Sequence, residues 1–102
     1  MALSQATVVT GNTVIFTSSG NNATTALFFM NDNASARTID LYLVPSGGSV
    51  ATTTQVLKTF SIDGGDTYII NDEKIVLANG DTIVAKASHA SSIYATVSYV
   101  SI

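Results

Sequence analysis

His89 is the only histidine in the chain, and cysteine and tryptophan are both absent, so the range of reactions open to this sequence is narrow from the start. An imidazole, with an ordinary pKa of about 6.5, is the side chain most readily used as a base near neutral pH. His89 lies in Ser88-His89-Ala90-Ser91-Ser92, a run with the composition of a turn, and no serine stands in the Gly-x-Ser-x-Gly setting that exposes a nucleophile on a strand-to-helix elbow. It reads as a solvent-facing turn residue. The seven acids are Asp32, Asp40, Asp63, Asp66, Asp72, Glu73 and Asp81. Most fall in turn segments, where a carboxylate caps its own backbone. A carboxylate pair for glycoside hydrolysis is disfavoured by the small size of the chain and by the lack of a tryptophan to stack on a sugar ring.

Asp63-Gly64-Gly65-Asp66, with Asn71-Asp72-Glu73 close behind, offers oxygens to calcium, which takes about six to eight of them. The spacing is not that of an EF-hand loop, and two glycines between aspartates make a tight turn. With one histidine and no cysteine, there is no thiolate or multi-histidine cluster to hold a transition metal. Pro45-Ser46-Gly47-Gly48-Ser49 is a glycine-rich loop after a strand pattern, but it precedes no helix pattern and lacks the lysine of a phosphate-binding loop. Asn22-Ala23-Thr24 and Asn33-Ala34-Ser35 fit the glycosylation acceptor pattern. Since Met1 to Ala6 shows no basic region and no apolar stretch of the kind a secretory signal needs, both are read as coincidences of composition. No residue is assigned a catalytic, cofactor-binding or metal-ligating role, and the expectation is a protein that is not an enzyme.

The elements that carry these residues are strands. Ile93 to Ile102 is the longest pattern: Ile93, Ala95, Val97 and Tyr99 share one face, Tyr94, Thr96, Ser98, Val100 and Ile102 the other, the period of two of a pleated strand. Apolar groups on both faces place it inside a sheet, with the core on one side and another subunit on the other. From Lys74 onward the sequence predicts a β-meander, Ile75 to Ala78 turning through Asn79-Gly80-Asp81 into Thr82 to Ala87, because Asn-Gly tolerates the positive φ of a tight hairpin. Upstream, Thr7 to Thr10 and Thr13 to Thr17 are short β runs. Thr24 to Met30 is the most hydrophobic strand and the expected centre of a sheet, its Leu27-Phe28-Phe29 implying burial on both faces. Asn31 to Ala36 is expected to close a hairpin onto Arg37 to Val44, where Ile39, Leu41 and Leu43 alternate with Thr38, Asp40 and Tyr42. Val50 to Gln55 reads as irregular, Val56 to Ile62 as a strand with Phe60 and Ile62 inward, and Thr67 to Ile70 as another.

About eight short strands at intervals of roughly 8 to 12 residues, with no helix pattern of credible length, predict an all-β fold: an antiparallel β-sandwich of jelly-roll or immunoglobulin-like topology. The chain is 102 residues long, enough for one domain. The expected organisation is a flexible N-terminal arm over residues 1–6, whose removal would leave the fold intact, and a single domain over residues 7–102.

Composition excludes some partners and favours others. Charged residues are 11% of the chain, against about 25% in an ordinary soluble protein. Serine and threonine supply the polar surface, 12 and 14 residues respectively. So little dispersed charge is a weak barrier to association, so assembly is favoured. The net charge of -3, with Arg37, Lys58, Lys74 and Lys86 scattered, argues against nucleic acid. The longest apolar run, Ala26 to Met30, is far short of the roughly 20 residues of a membrane helix.

Arg37 to Ser49, RTIDLYLVPSGGS, and Asp63 to Ala87, DGGDTYIINDEKIVLANGDTIVAKA, together with the terminal Val97 to Ile102, resemble small all-β virion proteins of tailed bacteriophages. The order of these pieces carries the resemblance, which spans most of the chain from about Leu27. It implies a structural module: a capsid decoration or cement protein on the outer surface of a phage head, made in the host cytoplasm and not secreted. There it would stabilise the shell against DNA pressure, with the major capsid protein and copies of itself as partners, the latter implying a homo-oligomer. The runner-up is a tail, neck or fibre component. A host-surface carbohydrate-binding module is the competing class, for which Tyr42, Tyr68, Tyr94 and Tyr99 are the candidate stacking residues.

Overall fold

A computed structural model describes residues 2–102, and the apolar runs of the sequence become nine strands in it. They are β1 (Ala2–Val8), β2 (Thr13–Thr17), β3 (Asn22–Asn31), β4 (Arg37–Val44), β5 (Gln55–Ile62), β6 (Thr67–Ile70), β7 (Val76–Leu77), β8 (Thr82–Ala87) and β9 (Ile93–Ser101). The one helical element among the described residues is a 3-10 turn at Thr52–Thr54, within the stretch read as irregular. The first sheet runs β1-β9-β3-β6, with β7 also on β3; the second runs β2-β8-β4-β5. Every pairing is antiparallel.

Apart from the two-residue β7, the pairings are nested: β4 with β5, β3 with β6, β2 with β8, β1 with β9. This is a long hairpin rolled up until β9 meets β3 and β8 meets β4, the arrangement of a jelly roll. The fold is therefore the expected all-β sandwich, and its strand order is the first of the two topologies read from the sequence.

Three local expectations are corrected. The stretch from Lys74 is not a meander: β7 lies in the first sheet, β8 in the second and β9 in the first again. Asn79-Gly80 does reverse the chain, with Gly80 at φ +87° and the Asp81 amide donating to the Ala78 carbonyl at 3.1 Å. However, the turn is held by the β2–β3 loop, since the Gly80 amide donates to the Ser18 carbonyl at 2.8 Å and the Gly20 amide to Asn79 Oδ1 at 2.8 Å. Those bonds carry the chain across to the opposite sheet. Likewise Asn31 to Ala36 connects β3 to β4 across the sandwich and is not a hairpin. The one pair consecutive in sequence, β4 and β5, is joined by the long connection through Pro45 and Thr52–Thr54.

The third correction concerns residues 1–6. Met1 lies outside the described residues, but Ala2–Val8 is a strand, paired with β9 from Ala2↔Tyr99 to Val8↔Ile93 without a shift in register. Ser4 Oγ donates to the Ile15 carbonyl at 2.9 Å, tying β1 to β2 in the other sheet. The strand escapes a sequence reading because its inward positions are Ser4, Ala6 and Val8, of which only the last is strongly apolar.

Between the sheets, Val8, Leu27, Phe29, Leu77, Ile93, Ala95 and Val97 from the first meet Ile15, Phe16, Ile39, Leu41, Ile62, Ile83, Ala85 and Ala87 from the second, all buried. Each large aliphatic or aromatic side chain so buried contributes about 1.5–3 kcal/mol. Phe28, expected to be covered on its own face, is only half-buried, because it points away from the core.

Asn31, at the end of β3, is fully buried, and its amide binds the crossing loops together. Nδ2 donates to the carbonyls of Ser35 at 2.9 Å, Ile62 at 2.9 Å and Asp63 at 3.3 Å, while Oδ1 accepts from the Asn33 amide at 2.9 Å.

Candidate functional site

The residues with chemical potential are spread over the turns. His89 is exposed between β8 and β9, its Nδ1 3.0 Å from Ser88 Oγ. Two of the carboxylates, Asp40 and Asp81, act as backbone caps. Asp40 Oδ1 accepts from the Thr59 amide at 2.7 Å; Asp81 accepts from the Ser46 amide through Oδ1 and from the Ala78 amide through Oδ2, each at 2.9 Å. Asp63 to Asp66 forms a tight turn in which the Asp66 amide donates to the Asp63 carbonyl at 3.0 Å. Among the described residues, no three His, Cys, Asp or Glu side chains gather where they could hold an ion, and no buried side-chain nitrogen or oxygen lacks a partner.

The tyrosines divide. Tyr42 is buried at 5% exposure under Val50, with Lys86 Nζ 5.7 Å from its ring centre. Tyr99 packs on Phe16 and Tyr68 on Phe60, with ring centroids 4.4 Å and 4.2 Å apart. Only Tyr94 presents its ring outward from a strand face that nothing covers, so no row of stacked aromatics faces solvent. Of the glycosylation-pattern asparagines, Asn22 is buried, its Nδ2 donating to Ser18 Oγ at 2.9 Å.

What the fold does assemble is a surface. The pleat sends Leu3, Gln5 and Thr7 of β1, Tyr94, Thr96, Ser98 and Val100 of β9, and Ala23, Ala26, Phe28 and Met30 of β3 to the outer face of the first sheet. Register sets them in rows: Gln5, Thr96, Phe28 and Ile69 lie side by side, as do Thr7, Tyr94, Met30 and Thr67. A further row joins Val100, Ala23 and Val76. Leu3 is 64% exposed, Val76 69%, Ile69 47% and Met30 40%. Among the described residues, none of the strands that build this face contains a charged residue. Lys74, exposed at its border next to Thr25, is the nearest charge, its Nζ donating to the carbonyls of Asn71 and Thr25. Thr25 Oγ1 donates to Ser98 Oγ at 2.6 Å, so this pair of hydroxyls is satisfied along the surface.

The outer face of the second sheet is unlike it. Asp40 and Lys86 lie opposite each other in register there, and Tyr42, Val44 and Val84 are covered by Val50 from the β4–β5 connection. One face of the sandwich thus carries charge and its own cover; the other is bare and is built from strands without a charged residue. The signal for the bare face was already in β9, with apolar groups on both phases. Its extension over β1, β3, β6 and β7 depends on sheet order, which no local pattern contains.

No family model, no curated protein and no solved structure matches this chain.

Proposed function

We propose that this protein is a non-enzymatic structural component of an assembled particle, which it joins through the outer face of the first sheet. The observation that carries this reading is the bare face itself: four strands wide, with Leu3, Met30, Ile69 and Val76 exposed, and built from strands that contain no charged residue. With about 4.8 Å between strands and 3.4 Å per residue over the lengths of β1, β9, β3 and β6, its flat outline is roughly 500 Å², more than half of the ~800 Å² per partner of a standard protein interface. Its exposed apolar groups are interleaved with uncharged polar ones such as Gln5, Thr7, Thr96 and Ser98, and depletion of charge with about half of the area apolar is the composition of a protein interface.

The sequence resemblance to small all-β virion proteins of tailed bacteriophages gives the particle its identity in this proposal: a phage head, with the protein as a decoration or cement protein on the outer capsid surface. Its partners are then the major capsid protein and further copies of itself. An acidic, charge-poor sandwich suits the outside of a shell better than the lumen, where DNA would repel it. Bound across shell subunits, each copy adds contact area that opposes the separation driven by packaged DNA, and many weak contacts on a closed lattice sum to a large effect.

Particles assembled without the protein test the proposal. They are expected to close normally and then to release DNA on heating at a lower temperature than decorated particles. Particles that keep their DNA but fail to adsorb to host cells would instead assign the protein to the tail, neck or fibre, or to host-surface carbohydrate binding.

A further inference from the structure

The two sheets have five edge strands, and four of them carry features that block the addition of another strand, β7 by having only two residues. β2 is five residues long with a register shift between Val14 and Phe16. β6 has four residues. β5 is longer, but its register against β4 shifts twice, Thr59 sits at φ +50°, and Lys58 is exposed. Short length, bulges and lysine are the usual protections of a sheet edge.

β1 has none of them. It is seven residues long, is in unbroken register with β9, and contains no charge and no proline. Its inward side chains Ser4 and Ala6 are only partly buried, whereas the inward Ala95 and Val97 on neighbouring β9 are 2% and 0% exposed. The sandwich is under-covered along this side.

We infer that the free edge of β1 pairs antiparallel with β1 of a second copy. An isologous contact sets each strand against itself, and ALSQATV places no like charges opposite one another when it does so. Full-length pairing sets the two-fold axis at the middle of β1, beside Gln5. Antiparallel neighbours keep paired residues on the same face, so the first sheets of the two copies merge and both bare faces point the same way. The docking surface doubles without a new fold element. A seven-residue edge spans about 24 Å and buries less than the ~800 Å² per partner of a stable dimer, so the contact is weak in free solution and gains strength when both copies lie on one surface.

Sedimentation equilibrium of the full chain, from about 1 µM to about 1 mM, tests this without any particle, so its outcome is separate from that of the proposed function. The wild type is expected to show a monomer–dimer equilibrium. Gln5→Lys, at an exposed outward position, brings like charges together at the axis and weakens the dimer roughly tenfold or more. Mixing Gln5→Lys with Gln5→Glu restores association, while Ile69→Lys, on the same face but far from the edge, leaves it unchanged. A chain that stays monomeric throughout the range overturns the inference. So does a dimer that Gln5→Lys leaves intact, and a dimer lost with Ile69→Lys but not with Gln5→Lys identifies stacking of the faces instead.

Discussion

Asn31 shows how a residue of loop composition becomes part of the interior. In Asn31-Asp32-Asn33 it reads as a turn former, and its burial arises only because β3 ends where two sheet-crossing connections meet. Its side chain satisfies three carbonyls and one amide that otherwise face each other away from water. Asn31→Ala strands these groups and is expected to destabilise the fold by about 2–4 kcal/mol in urea unfolding. The adjacent glycines separate two physical reasons for lacking a side chain. A Cβ on Gly64 would lie 2.2 Å from the Ala34 carbonyl oxygen, which is backbone and cannot swing aside; on Gly65 it would meet nothing, but φ is +74°. Gly64→Ala is therefore expected to lose about 2–4 kcal/mol through forced displacement, and Gly65→Ala only about 1 kcal/mol through left-handed strain. Equal losses in thermal or urea unfolding would show that the loop yields at Gly64. His89, by contrast, was legible from sequence, because nothing but its own turn determines its surroundings.

At the level of strands, the period of two placed β3, β4, β8 and β9 and the inward phase of β4, since alternation is a local consequence of the pleat. It failed for β1, where the inward side chains are small. It also failed to say which sheet each strand enters, because a reversing turn such as Asn79-Gly80 looks the same whether it closes a hairpin or crosses the sandwich. Hydrogen bonds from residues some 60 positions away in sequence, such as that of the Gly20 amide to Asn79 Oδ1, make that choice. The correction at β1 reverses an expectation with a measurable consequence. Removing residues 2–6 takes away most of the strand, the bond from Ser4 to Ile15, and the cover over one side of β9. Loss of about 2–3 kcal/mol is expected, a fall in Tm of roughly 10–20 °C for a domain of this size, together with aggregation through the newly exposed edge of β9. An unchanged Tm would show that β1 adds nothing to the stability of the isolated chain.

For the whole molecule, the separation of charge from the bare face determines how the proposed docking should respond to solution conditions. None of the eleven formally charged residues belongs to a strand of the first sheet, and Lys74 stands at the border of its outer face with its Nζ on the Thr25 carbonyl. Docking through that face therefore draws on apolar burial, which salt does not screen, whereas contacts between exposed charges fade as the Debye length shrinks from about 10 Å at 0.1 M to about 3 Å at 1 M. Co-sedimentation with undecorated particles is expected to give an affinity that changes less than about threefold between 0.1 M and 1 M salt. Ile69→Lys, which plants a charge among Phe28 and Thr96, is expected to weaken binding at least tenfold while leaving thermal unfolding almost unchanged, because position 69 is already 47% exposed. The same substitution on the second sheet, Val14→Lys, at 53% exposure, serves as the control that should bind normally. Salt-sensitive binding that survives Ile69→Lys would move the contact to the acidic turns, and the bare face would then need another occupant.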